Sequence, residues 1–128
     1  MQILLDTHIA LWALVDDRRL TSFARDVISD PDNTVWVSAA SVWEIAIKHT
    51  LGRSGIPFSA RKAIGYFDQA GYQLLSVQPK HAAAVETLPP LHGDTFDRML
   101  VAQALTEPLR LMTHDQVLAT YSDTVILV

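Results

Sequence analysis

Apolar residues in this chain fall into two kinds of pattern. Short runs with no polar alternation occur at QILL (2–5), TVWVS (34–38), YQLLSV (72–77), LRLMT (109–113) and TVILV (124–128). Such runs suit strands buried on both faces. Between them, apolar positions recur every three or four residues. DTHIALWALVDD reads as a helix capped by Asp6 or Thr7, and TSFARDVISDPDN as one capped by Thr21 or Ser22 and ended at Pro31. SAASVWEIAIKHTLG sets Val42, Ile45, Ala46 and Leu51 near one face and stops at Gly52. SARKAIGYFDQAG stops at Gly71, PKHAAAVETL opens on Pro79, DTFDRMLVAQALTE stops at Pro108, and HDQVLATY is a last short helix. Strands alternating with helices predict an α/β fold with a parallel sheet covered on both faces.

Composition narrows the class. The chain has 128 residues, 49% hydrophobic and 19% charged, which reads as one folded domain over 1–128. It has no cysteine, which excludes disulfides, thiolate metal sites and a cysteine nucleophile. Any metal must be held by oxygen or imidazole. The formal net charge is −4, so contact with nucleic acid would need local basic residues or a bound cation rather than bulk charge. The N-terminal stretch lacks the basic start of a signal peptide, is interrupted by Asp6 and His8, and is too short to span a bilayer; the expected compartment is the cytoplasm.

Four acids stand at telling places in this pattern. Asp6 follows the first strand and Asp115 the fourth; Glu44 lies early in the helix after the second strand, and Asp97 in the first turn of the helix before the fourth. Ligands of open parallel sheets bind outside the carboxyl ends of the strands. Each acid also has a structural explanation. Asp6 can cap its helix, and Glu44 can close a capping box with Ser41. Asp97 and Asp115 can answer a helix dipole, and Asp94 can cap its helix and pair with Arg98 at i,i+4. Four carboxylates on one rim would repel, and a hard divalent cation such as Mg²⁺ or Mn²⁺ would relieve them. That chemistry suits phosphodiester hydrolysis by an activated water.

LLDTHIALWAL, VSAASVWEIAIKHTLGR, HGDTFDRMLVAQAL and LMTHDQVLATY resemble, in order and spacing, the four signature blocks of PIN-domain proteins. They are most similar to the VapC-like ribonuclease toxins of bacterial toxin–antitoxin pairs. The resemblance runs nearly end to end. It implies a three-layer α/β/α sandwich on a five-stranded parallel sheet of order 3-2-1-4-5, and a Mg²⁺- or Mn²⁺-dependent endoribonuclease. By resemblance, Asp6, Glu44, Asp97 and Asp115 hold the metal and activate water. It further implies a homodimer and inhibition by a VapB-like antitoxin. The antitoxin's C-terminal segment would lie over apolar helices near the acids and push an Arg or Lys among them. One departure is Thr95, where many relatives carry Pro at a helix start; Pro is favourable there but replaceable.

Other residues have weaker claims. Thr7 and Thr113 flank acids and are candidates to hydrogen-bond a carboxylate or a bound water, with helix capping as the alternative; Asp94 is a cap with a supporting role as its alternative. His8, His92 and His114 lie near the acids, where solvated surface is the default and metal ligation or proton transfer the alternative. His49 and His81 have no evident partner. Lys48, Arg53, Arg61, Lys62 and Arg98 are candidate phosphate contacts, with GRSGIP as a basic loop beside the rim. Trp12, Trp36 and Trp43 sit in apolar patterns and read as core rather than as base-stacking platforms. A haloacid-dehalogenase-type phosphatase also begins with an Asp after its first strand, but needs a second Asp where this chain has His8. A PIN module that binds RNA without cutting it is the other alternative; the presence of all four acids argues against it.

Overall fold

The computed structural model describes residues 1–52 and 55–128. Five parallel strands form one sheet: β1 (Gln2–Leu5), β2 (Thr34–Ser38), β3 (Gln73–Leu75), β4 (Arg110–Thr113) and β5 (Ile126–Leu127). Their order is β3-β2-β1-β4-β5, and every neighbouring pair is parallel. β1 is central, with Leu4 opposite Trp36 on one side and Leu111 on the other.

The helices are α1 (Thr7–Val15), α2 (Ser22–Ser29), α3 (Ala39–Thr50), α4 (Ala60–Gln69), α5 (Pro79–Ala84), α6 (Thr95–Thr106) and α7 (Gln116–Ala119), with a 3₁₀ turn at Val85–Thr87. They cover both faces of the sheet, so alternate strand residues enter different cores. Ile3, Leu5, Val35, Val37 and Met112 pack with Ile9, Trp12, Ala63 and Phe67. Leu4 and Leu111 pack with Leu100, Val101, Ala104 and Leu118. This two-residue alternation into two buried layers is why the strands read as continuous apolar runs.

The expected strands at 72–77 and 124–128 are shorter, at Gln73–Leu75 and Ile126–Leu127. Both are edge strands, paired on one side only, where apolar character outruns the ladder. The caps are Asp6, Thr21, Ser38, Ser59, Asp94 and Asp115, each accepting a backbone N–H of its helix's first turn. α3 is therefore capped by Ser38 and not Ser41, which removes the capping-box explanation of Glu44. Arg53 and part of the GRSGIP loop lie outside the described residues. Among the described residues no helix is long and apolar enough to cross a membrane.

Candidate active site

The rim at the carboxyl ends of β1, β2 and β4 is built from chain junctions. Asp6 directly follows β1, and its backbone N–H still donates to Met112 O at 3.0 Å. Its side chain is buried and fully engaged: Oδ1 accepts from the Ile9 N–H at 2.8 Å, and Oδ2 from the Thr113 hydroxyl at 2.5 Å. Burial raises its pKa above the ordinary carboxylate value, and the bonds from Thr113 and Ile9 only partly offset that.

Thr113 ends β4 and spends its one proton on Asp6. Its oxygen accepts the Asp115 N–H at 3.0 Å, so one hydroxyl ties two acids together. Asp115 caps α7 with Oδ1 on the Val117 N–H at 2.8 Å, while Oδ2 lies 2.8 Å from His92 Nε2. Burial pushes the Asp115 carboxyl up, but the hydrogen bonds from His92 and Val117 outweigh it and hold its pKa below the usual value.

Glu44, five residues past the start of α3, turns inward and is buried. Oε1 lies 2.7 Å from the Thr7 hydroxyl and Oε2 2.5 Å from Lys48 Nζ. Thr7 Oγ1 also lies 2.9 Å from Ser41 Oγ. A hydroxyl has one proton, and only the carboxylate is unable to donate, so Thr7 donates to Glu44 and accepts from Ser41. Because Thr7 adjoins Asp6, α1 begins where it can anchor both acids.

Asp97 sits in the first turn of α6, its N–H capped by Asp94 Oδ1 at 2.9 Å. Its carboxyl is pushed up to about 7, first by burial and then by the negative charges of Asp94, Asp6 and Glu44, with His92 acting against them. Asp97 therefore feels Asp94, the cap of its own helix, and the acids of two other chain segments. His92 Nε2 lies 3.6 Å from Asp97 Oδ2, and His92, Asp97 and Asp115 offer ligand atoms within 4.8 Å of one another.

The structure corrects some of the remaining expectations and agrees with others. Arg98 does not pair with Asp94 and is not free for phosphate: its guanidinium donates to Pro89 O, the Tyr121 hydroxyl and Val85 O. Lys48 faces Glu44. Arg61 and Lys62 are exposed on α4. His92 is not simply solvated; it is half-buried and bonded to an acid. His114 bonds Val128 O, and His8 is exposed. His81, expected to lack a partner, is buried, with Nδ1 accepting from the Gln78 N–H and Nε2 2.5 Å from Glu107. Trp12 is core, Trp36 is half-buried with its N–H on Gln2, and Trp43 is 60% exposed against Phe96, at 5.1 Å between ring centroids. Ser41, read from sequence as a helix cap, instead bonds Thr7, and Tyr121 carries neither charge nor an adjacent acid that would single it out.

The PIN domain family model matches residues 3–123. The chain belongs to the PIN domain family. Ribonuclease VapC22 of Mycobacterium tuberculosis (strain ATCC 25618 / H37Rv) is 29% identical to this PIN domain over 122 residues, covering 93% of this chain and 91% of its own. Two solved structures share the fold. VapBC2 from Rickettsia felis, bound to a DNA fragment from its promoter, superposes with TM-score 0.70 at 15% identity, covering 100% of this chain and 98% of that one. FitAcB from Neisseria gonorrhoeae superposes with TM-score 0.64 at 18% identity, over 98% and 96%.

The donor set of this PIN domain fits a hard divalent cation. It is rich in carboxylate oxygen and has no thiolate, as Mg²⁺ or Mn²⁺ prefers.

Proposed function

We propose that this PIN domain is a Mg²⁺- or Mn²⁺-dependent endoribonuclease, the toxin of a toxin–antitoxin pair, with Asp6, Glu44, Asp97 and Asp115 as its metal-binding and catalytic acids. The observation that carries the reading is geometric: His92, Asp97 and Asp115 bring ligand atoms within 4.8 Å of one another on a half-buried rim, where burial and then the charges of Asp94, Asp6 and Glu44 act on Asp97. The similarity to a protein named a ribonuclease supports the substrate class. A divalent ion there would polarise the scissile phosphoryl group and lower the pKa of an attacking water.

The chain's own residues prepare that chemistry. Thr113 and the Ile9 N–H fix Asp6 in one rotamer, Thr7 fixes Glu44, and His92 and the Val117 N–H fix Asp115. Among the described residues, His92 is the one side chain of opposite potential charge beside Asp97, which favours a cation there. Lys48 supplies positive charge to Glu44. No side chain has to attack phosphorus.

Neutralisation falls to a VapB-like antitoxin. A toxin–antitoxin complex from Klebsiella pneumoniae, which shares the fold with TM-score 0.64 at 17% identity, supports that reading. A groove lined by Thr7, His8, Leu11, Trp12, Lys48 and Phe58 runs along α1, and two of its lining residues, Thr7 and Lys48, bond Glu44. It offers an apolar seat for the antitoxin's C-terminal segment, whose Arg or Lys would reach the acids. The same reading makes the protein a cytoplasmic homodimer. The test is cleavage mapping on total RNA with purified protein. Cutting is expected with Mg²⁺ or Mn²⁺, absent with chelator, absent in folded Asp97→Asn, and stopped by the partner protein. Normal cutting by Asp97→Asn would refute the assignment.

A further inference from the structure

His92 stands on the Leu88–Asp94 connection between the 3₁₀ turn and α6, a segment held at several points. The His92 N–H donates to the Tyr121 hydroxyl at 3.0 Å, and Arg98 donates to the same hydroxyl at 3.1 Å and to Pro89 O at 3.0 Å. The ring is thus anchored to α6 and to the chain after α7 before its own contacts are counted.

Both ring nitrogens are engaged. Nδ1 faces the Asp94 backbone N–H at 3.0 Å. An amide N–H only donates, so Nδ1 must present its lone pair. The neutral ring therefore carries its proton on Nε2. Nε2 faces Asp115 Oδ2 at 2.8 Å, with Asp97 Oδ2 at 3.6 Å behind it. A metal ligand needs a free lone pair on the coordinating nitrogen. Nε2 has none in this tautomer, and moving the proton to Nδ1 would set two N–H groups against each other.

We infer that His92 is a positioning residue of the acidic rim: its Nε2–H holds the Asp115 carboxylate beside Asp97, and the ring does not itself ligate the ion. The inference rests on the reading of the rim as a divalent-ion site. Asp115 Oδ1 is committed to the Val117 N–H, so a donor on Oδ2 fixes the remaining rotation of the carboxylate and sets which lone pairs face Asp97. Loss of such an orienting partner weakens metal affinity by roughly 10- to 100-fold.

The experiment is a Mn²⁺ titration of the full chain, followed by electron paramagnetic resonance, on wild type, His92→Ala and His92→Gln. It is paired with imidazole ¹⁵N–¹H correlation spectra of the chelator-treated wild type at a pH where the ring is neutral. The expected results are roughly 10- to 100-fold weaker binding by His92→Ala and recovery of most of it by His92→Gln, whose amide N–H replaces the donor. The proton should sit on Nε2, and the bound Mn²⁺ spectrum should lack a directly bonded imidazole nitrogen. Unchanged affinity in His92→Ala, a proton on Nδ1, or a directly bonded nitrogen would each overturn the inference while leaving the ion site intact. A wild type that binds no Mn²⁺ would overturn the ion site and the inference with it. Should His92→Ala not fold, the tautomer and the wild-type Mn²⁺ spectrum decide.

Discussion

Asp97 is held near pH 7 in its titration because the folded chain surrounds it with low-dielectric packing and three other acids. Its folded pKa lies above the ordinary carboxylate value of 3.8. The protonated form therefore favours folding. That contribution is full below about pH 4 and is lost as pH rises through about 7. Asp97→Asn, which never ionises, should be more stable than wild type in chelator at pH 8, and the difference should vanish towards pH 4. Urea unfolding of both proteins at the two pH values measures this; a difference that does not depend on pH would contradict it. Asp6 and Asp115 are legible in sequence because Asp6 directly follows β1 and Asp115 stands two residues past β4. The partners of His92 are not, because they depend on how the 88–94 segment packs against Tyr121 and Arg98, a contact between residues far apart in the chain. Asp94 and Arg98 show the opposite failure: i,i+4 spacing permits a pair, but Arg98 is drawn to two carbonyls and a hydroxyl across the fold.

Elements divide cleanly between holding the fold and holding the rim. Thr21 caps α2 through the Ala24 N–H, on a helix that contributes no acid to the site. Thr21→Ala should cost about 1 kcal/mol of stability and leave RNA cleavage unchanged. Leu100 is fully buried on α6, one turn from Asp97. Leu100→Ala should cost about 2–5 kcal/mol and also reduce cleavage, since α6 carries the acid. Chemical denaturation alongside RNA cleavage assays separates the two cases. Helix starts could be read because Ser, Thr and Asp stand at the caps. The cap of α3 was misplaced because Ser38 and Ser41 both precede apolar residues, and only the end of β2 decides between them. Trp43 looked like core for a related reason: α3 is apolar on more than one face, and Trp43, set edge-on to Phe96, lies on a face that stays open to solvent.

At the scale of the molecule, the all-parallel topology gathers the acids. Strand order β3-β2-β1-β4-β5 sets β1 between β2 and β4, so the segments that follow these strands meet at one end of the sheet. The parallel sheet followed from alternating patterns, whereas the strand order came from resemblance to a family, because periodicity does not say which strands are neighbours. A net charge of −4 on the whole chain, with acids concentrated on this rim, predicts that divalent cation binding stabilises the fold. At a free concentration one hundred times the dissociation constant, one site contributes about 2.7 kcal/mol, a rise on the order of 10 °C in melting temperature for a domain of this size. Thermal unfolding with Mn²⁺ and with chelator checks this.

The central claim is that acids from four chain segments grip one ion together. Its most direct test is Mn²⁺ binding by wild type and by Asp6→Asn, Glu44→Gln, Asp97→Asn and Asp115→Asn, each verified as folded. A shared site predicts measurable binding by wild type and a large loss in every variant. Four variants that bind as tightly as wild type, or a wild type that binds nothing, would contradict it.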